Sequence, residues 1–347
     1  MKTSILSVAG LALSAALVAA PVAAQGLRGA PAPFDKGGVE IAVVSFLGSG
    51  DWLQAFEAGT KRQASALGVT LTLSQARNDN DTQRNLVEQA INRRVKGIVI
   101  NNGRPEVLKD VAQKALDAGI KVVAYDVNLD NPAIPQIEQS DRDMARLVLE
   151  QAIRDKGDGF TAGAVYVAGF APLDRRYAVF KEFVKNHKLT EKAVWGVVND
   201  TVPASVADQT KAVLRANPDI SVVFTPWDEF AKGVKLAIDE LGVAKKVKIY
   251  GVDTSTADIQ LMIEPDSAWV ATAATNAAVV GEVAVRAVSL AIAGQNPGRA
   301  VMLQPTLVTR KDLIDNRIRT IEDLQKKFPA FSASSAATAK WIPAPKH

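Results

Sequence analysis

The feature that most restricts this chain is a regular alternation of apolar strand patterns with amphipathic helix patterns between residues 40 and 293. Glu40-Ile41-Ala42-Val43-Val44-Ser45-Phe46 is a nearly continuous β-type run, which predicts a strand buried on both faces. A helix over 52–67 follows, then a strand over 69–74, a helix over 81–94 and a strand over 97–101. The next helix, 105–118, opens on Pro105, where the missing N–H costs nothing, and leads to a strand over 121–125. The second half repeats the alternation, with helices expected over 142–156, 173–187, 204–216, 228–241, 255–264 and 277–293. Between them fall strands over 163–168, 193–198, 221–225, 247–252 and 268–273. Strand and helix alternating on this scale demand parallel sheets with right-handed crossovers. About ten strands divide into two sheets, so the expected fold class is α/β, with two doubly wound parallel-sheet lobes.

The N-terminus has a different character. A short basic start, Met1-Lys2-Thr3, precedes an apolar stretch from Ile5 to Val18 and the small-residue segment Pro21–Gln25. This is the pattern of a secretory signal peptide cleaved after Ala24, with an apolar core shorter than the roughly 20 residues of a membrane span. Residues 25–38, rich in Gly and Pro, read as a flexible leader. What remains exceeds the roughly 250–300 residues that one hydrophobic core organises, which again favours two domains. The chain has no cysteine, so disulfides, thiolate metal sites, cysteine nucleophiles and a lipoprotein anchor are excluded. A hydrophobic content of 48% is enough for an exported protein without staples.

Charge and missing motifs narrow the function. Forty-one basic residues nearly balance 37 acidic ones, and the doublets Arg93-Arg94, Arg175-Arg176 and Lys245-Lys246 are scattered rather than striped. Solvated helix faces account for them, and no nucleic-acid partner is expected. There is no G-x-S-x-G elbow, no Walker loop and no G-x-G-x-x-G after a strand; Gly157-Asp158-Gly159 precedes a strand and reads as a turn. With only His187 and His347 in the chain, neither a histidine metal site nor a Ser-His-Asp triad is expected. No catalytic residue, metal or cofactor is assigned. Carboxylate pairs leave glycoside chemistry open as an alternative.

In doubly wound sheets a ligand sits beyond the carboxyl ends of the strands. The segments there are Phe46–Trp52, Asn101–Arg104, Asp126–Asn128, Gly169–Arg176, Asn199–Val202, Pro226–Asp228 and Asp253–Ser255. Several of these are polar or aromatic.

The run Ile41–Trp52, Asn78-Asp79 with Gln83, Lys96–Asn101, Gly119–Asp126, Ser140-Asp141, Arg176–Phe180, Val223-Phe224 with Trp227-Asp228-Glu229, and Tyr250–Asp253 occur in an order that resembles the type I periplasmic sugar-binding proteins, the group of the ribose-binding protein. The resemblance covers about residues 40–310. It implies an N-terminal lobe of 39–140 plus 276–304, a C-terminal lobe of 141–275 plus 305–312, and an extension over 313–347. It also implies a periplasmic solute-binding subunit of an ABC importer, monomeric, that holds a small sugar or polyol between its lobes by hinge closure. A membrane permease is the implied partner, with a chemoreceptor as a further one.

Carried over by position, the resemblance places Trp52 where the ribose binder stacks an aromatic ring. Asn101, Asp126, Arg176 and Asp253 fall on polar ligand contacts, and Thr275 or Asn276 on the last one at the hinge. Val127 stands in place of an arginine, Trp227 and Gly50 in place of asparagines, and Thr201 in place of an aromatic, so the implied ligand is sugar-like but not ribose. The chemistry agrees, since an indole covers apolar C–H faces while carboxylate, amide and guanidinium groups bind a rim of hydroxyls. The expected ligand-binding set is Phe46, Trp52, Asn101, Asp126, Arg176, Trp227, Asp253 and Asn276. Each has a bland counterpart. Asp126 suits a turn, one arginine of the 175–176 pair suits the surface, Asp228 suits a helix N-cap, and Trp195 and Trp269 suit the core. The turn Gly48-Ser49-Gly50 before a helix also permits an anionic ligand, although Asp51 opposes one. The remaining alternatives are a LacI-type repressor core, which would need a DNA-binding headpiece where this sequence has a signal-peptide pattern, a secreted glycosidase, and a binder for a signalling furanose.

Overall fold

The computed structural model describes residues 26–332 and 334–345. The expected signal peptide lies outside them. Strand β1 (Glu40–Ser45), helix α1 (Asp51–Leu67) and strand β2 (Thr70–Gln75) open the fold. They are followed by α2 (Asn80–Asn92), β3 (Gly97–Asn101), α3 (Pro105–Asp117), β4 (Lys121–Tyr125) and the short β5 (Gln136–Glu138). The chain continues through α4 (Asp141–Lys156), β6 (Thr161–Val165), α5 (Ala171–Asn186), β7 (Thr190–Trp195) and α6 (Val202–Ala216). Next come β8 (Val222–Thr225), α7 (Asp228–Leu241), β9 (Lys248–Val252), α8 (Thr256–Ile263), β10 (Trp269–Ala274) and α9 (Ala277–Ile292). The short strands β11 (Ala300–Met302) and β12 (Thr306–Thr309) precede α10 (Arg310–Asp315), α11 (Ile321–Lys327) and a 3-10 turn, Pro329–Phe331.

These elements form two six-stranded sheets, ordered β11-β5-β4-β3-β1-β2 and β12-β10-β9-β8-β6-β7. Every pair is parallel except β10–β12. The inner strands β1, β3, β4, β8 and β9 are buried almost end to end, as strands covered on both faces must be. The chain passes from one sheet to the other three times, at Gln139-Ser140, at Thr275-Asn276 and at Leu303–Pro305. Two of the crossings are tied together, since the Thr275 hydroxyl donates to Gln139 Oε1 at 2.5 Å.

Three strands escaped the sequence reading. β5, β11 and β12 are three or four residues long and carry no apolar run of their own. The strand expected at 193–198 lies instead at Thr190–Trp195, because this edge strand alternates exposed and covered residues and so lacks the run that marks an inner strand.

The leader was expected to be flexible, and part of it is packed. Phe34 is 2% exposed within the N-terminal core and lies 4.9 Å from the ring of Trp341. The extension expected over 313–347 is likewise anchored, because Phe331 is buried in the C-terminal core.

Candidate functional site

The carboxyl ends of both sheets face one cleft. Its cavity is lined by Phe46, Leu47, Trp52, Asn102, Tyr125, Asp126 and Gln139 on one side, and by Phe170, Pro172, Leu173, Arg176, Val198, Trp227 and Asp253 on the other. The cavity volume is about 60 Å³, space for several waters or one small molecule. The lobes are closed around it. Asp51 accepts from Lys232 at 2.9 Å and from Ser255 at 3.3 Å, and Asn78 donates to Asp200 at 2.9 Å. The Arg104 guanidinium lies 4.8 Å above the Phe170 ring.

Two aspartates occupy equivalent places in the two lobes. Asp126 follows β4 and Asp253 follows β9, both in the left-handed backbone region, at φ 51° and 73°. Aspartate tolerates that region better than most side chains, yet the conformation is still strained and persists only where its surroundings fix it. Here the Asp126 N–H donates to Ile137 O, and the Thr272 hydroxyl donates to Asp253 O at 2.5 Å. The strain turns each carboxylate off its strand end and into the cleft.

A continuous polar network links them. Gln139 Nε2 donates to Asp126 Oδ2 at 3.2 Å, and Arg175 donates to Asp126 Oδ1 at 2.9 Å and to Asp141 Oδ2 at 2.6 Å. Arg176 donates to Asp141 Oδ1 at 2.7 Å, to the Pro226 carbonyl at 2.7 Å and to Asp253 Oδ2 at 3.2 Å. Burial drives Asp126 up to about 8, reinforced by the charge of Asp141 and opposed by both arginines. Asp253 rises to about 6 for the same first cause, with Arg176 opposing. Arg176 is itself held charged by Asp253 and Asp141 despite its burial.

Among the lining residues, three buried polar atoms have no partner: Trp52 Nε1, Tyr125 OH and Asp253 Oδ1. Leaving such a group unpaired costs about 1–3 kcal/mol, which marks these three atoms as the unsatisfied hydrogen-bonding positions of the wall. Trp52 is fixed by stacking on Tyr125, at 5.4 Å and 6°, and on Phe56, at 5.3 Å and 18°.

Of the expected residues, Phe46, Trp52, Asp126, Arg176, Trp227 and Asp253 all line the cavity. Arg176 enters chiefly as the group that positions Asp253 and Asp141, since its donors are already engaged. Asn101 and Asn276 do not line it. Asn101 pairs in register with Ser45, so their side chains share one face of the sheet, and the amide donates to Ser45 Oγ at 2.9 Å. The following residue, Asn102, at φ 56°, turns into the cleft instead. Asn276 caps α9, accepting from Ala278 N at 3.1 Å.

Arg175 is only partly exposed, and its guanidinium spans Asp126, Asp141 and Glu138. Asp228 opens α7 without capping it, that position belonging to Trp227, whereas Ser255 caps α8 and accepts from the Asp258 N–H. Trp195 and Trp269 are core residues. Sequence reasoning missed Tyr125, Gln139, Asp141, Arg175 and the apolar Leu47, Phe170, Leu173 and Val198 as contributors to this region. Asp141 lay in a motif already singled out, and Phe170, Leu173 and Arg175 lay in a strand-end segment. Tyr125 reads only as the last residue of a buried strand.

A family model described as periplasmic binding protein domain matches residues 41–296. The chain belongs to this family, and within it to the type I sugar-binding proteins. A protein of known structure, the 5-methylthioribose transporter solute-binding protein of Thermotoga lettingae, is 35% identical with a TM-score of 0.85, covering 88% of this chain and 97% of its own. The D-xylose-binding periplasmic protein of Escherichia coli is 29% identical over 57% of this chain, a match that spans 62% of the relative's length. The fructose import binding protein of Bifidobacterium longum is 28% identical over 78% of this chain and 84% of its own. Among the described residues no helix is long and apolar enough to cross a membrane.

Proposed function

We propose that this chain is the solute-binding subunit of a bacterial ABC importer and that it captures a small neutral sugar or polyol by closing its lobes. The observation that supports this most strongly is the cavity itself. It is enclosed between lobes joined by three crossings, and its wall combines stacked aromatic rings with two strained aspartates. Carboxylates accept hydroxyl donors, and the indole covers C–H faces. That the Thermotoga lettingae relative was solved with 5-methylthioribose supports a ligand of pentose size.

The network also favours a neutral ligand over a phosphorylated one. Asp126, Asp141 and Asp253 already engage Arg175 and Arg176, so neither of these two guanidinium groups stands free for an anion. At the Gly48–Gly50 turn, the Asp51 carboxylate accepts from Lys232 and Ser255 across the cleft. The protein captures its ligand and does not transform it. It acts as a periplasmic monomer after cleavage behind Ala24, and its closed form is what a permease, and a chemoreceptor beside it, reads.

The test is a thermal-shift screen of residues 25–347, unfolded and refolded to strip bound ligand, against pentoses, hexoses, tetritols, pentitols, hexitols and sugar phosphates. A ligand at a hundredfold over Kd should stabilise by about 2.7 kcal/mol and raise the melting temperature by several degrees. A response to sugar phosphates alone would overturn the neutral-ligand reading. Release of product from a glycoside would overturn the binder.

A further inference from the structure

The cavity wall is divided rather than mixed. Its charged side chains and the Gln139 amide belong to one hydrogen-bonded chain that runs Gln139–Asp126–Arg175–Asp141–Arg176–Asp253, and the Asn102 amide lines the wall outside that chain. Its apolar residues Phe46, Leu47, Phe170, Leu173, Val198 and Trp227 belong to one contiguous hydrophobic cluster, to which the N-terminal lobe contributes Phe46 and Leu47. Phe46 meets Phe170 across the cleft with ring centroids 5.3 Å apart. The buried unpaired polar atoms of the wall, Trp52 Nε1, Tyr125 OH and Asp253 Oδ1, all lie outside the apolar set. A polyhydroxylated ligand with hydroxyls on every carbon would press some of them against that apolar patch and leave them unpaired.

We infer that the ligand is a sugar of pentose size with one terminal hydroxyl replaced by an uncharged apolar group, such as an alkylthio, alkyl or deoxy terminus. The group sits against Phe46, Leu47, Phe170, Leu173, Val198 and Trp227. This rests on the reading of the cleft as a carbohydrate site. Trp227 and Val198 are the specificity-determining residues most open to change. Both are partly exposed, at the edge of the cluster rather than in its core.

Each methylene buried there should tighten binding about fourfold. Removing a hydroxyl that the patch leaves unpaired should add about tenfold. The experiment is calorimetric titration of the refolded protein with matched pairs: ribose and 5-deoxy-5-(methylthio)ribose, ribose and 5-deoxyribose, and xylose and its methyl glycoside. At least one substituted member should bind ten times or more tighter than its parent. In Val198→Asn, and independently in Trp227→Asn, that ratio should fall about tenfold.

Parents that bind as tightly as, or tighter than, every substituted partner would overturn the apolar subsite and leave the sugar-binding reading intact. A preserved ratio in both folded variants would overturn the assignment of these residues. Failure of every carbohydrate to bind a protein with a native melting transition would overturn the reading of the cleft itself.

Discussion

Arg175 and Asp126 come from opposite lobes, one from α5 and one from the end of β4, and meet at 2.9 Å across the cleft. The Asp126 side chain is 1% exposed and that of Arg175 23%. The same guanidinium reaches Asp141 at 2.6 Å, at the first crossing between the lobes. Lobe closure and charge neutralisation are therefore one event. Arg175→Ala leaves two buried carboxylates short of a counter-charge in the closed form, and hydrogen bonds to charged groups contribute about 1.5–3 kcal/mol. Ligand affinity should fall about 10- to 100-fold by calorimetry, and solution scattering of the ligand-free protein should shift toward a larger radius. Unchanged affinity would mean that the pair does not contribute to closure.

Among the described residues Asp253 presents an oxygen with no hydrogen-bond partner, while its other oxygen accepts from Arg176. Asp253→Asn keeps the shape and removes the charge-assisted bond to a ligand hydroxyl. The affinity for the ligand found by screening should drop about tenfold or more, a larger loss than the fall in ligand-free stability that follows from weakening the buried pair with Arg176. A melting temperature that falls as far as the affinity would mark Asp253 as structural.

The carboxylate of Asp126 is raised from its ordinary 3.8 to about 8, first by burial and then by the charge of Asp141. The folded protein therefore binds this proton more tightly than the unfolded chain does. The stabilisation is fully present below the ordinary carboxylate range and is lost as pH rises toward 8. The stability of the wild type relative to Asp126→Asn, which cannot titrate, should decline between pH 5 and pH 8 in denaturant melts. A difference that is flat or grows with pH would show that burial of this group is not felt.

Much of this was legible before any coordinates, and the reasons differ by element. The inner strands declared themselves because burial on both faces requires an unbroken apolar run, as in Gly97-Ile98-Val99-Ile100-Asn101. Aspartates 126 and 253 were legible because a polar residue directly after such a run has nowhere to point but the cleft. Asn101 misled for the same reason, since one residue decides whether a side chain stays on the sheet face beside Ser45 or turns into the site. Arg175, Asp141 and Gln139 were not assigned to the site, because their role depends on bringing two lobes and a crossing segment together, which no local pattern encodes. Of the apolar half of the cavity, Phe46 and Trp227 were assigned, whereas Phe170, Leu173 and Val198 were not, because they look like core residues and indeed belong to, or pack on, the core cluster that reaches the cleft.

Helices α1 and α9 pack so closely that two glycines have no room for a side chain. A Cβ on Gly59 would lie 1.8 Å from Ala278 O, and one on Gly281 would lie 2.1 Å from Phe56 O. Both obstacles are backbone, so neither can swing aside. The same α1 carries Trp52 into the site, which couples this packing to the ring stack of Trp52, Phe56 and Tyr125. Gly59→Ala should destabilise by about 2–4 kcal/mol, through overpacking, and Gly281→Ala similarly. Thermal melts measure this directly, and a stability within 0.5 kcal/mol of wild type would contradict the close approach.

The C-terminal segment makes a fourth tie between the lobes. Phe331 is buried in the C-terminal core, yet three residues later Ser334 O accepts from Arg286 Nη2 at 3.3 Å on α9 of the N-terminal lobe. Further on, Trp341 packs on Phe34 at 4.9 Å and donates to Gln295 at 3.0 Å, and Pro343 O accepts from Gln63 at 3.0 Å. A short span anchored at both ends restricts how far the lobes can separate. Trp341→Ala removes the ring contact and one hydrogen bond, for a loss of about 1–3 kcal/mol and a few degrees of melting temperature. Because this tie lies outside the cavity wall, its loss should speed ligand release by easing opening while leaving the preference among sugars unchanged. Stopped-flow dissociation of the bound ligand reads the rate, and a rate equal to wild type together with a lowered melting temperature would reduce the segment to a stabiliser of one lobe.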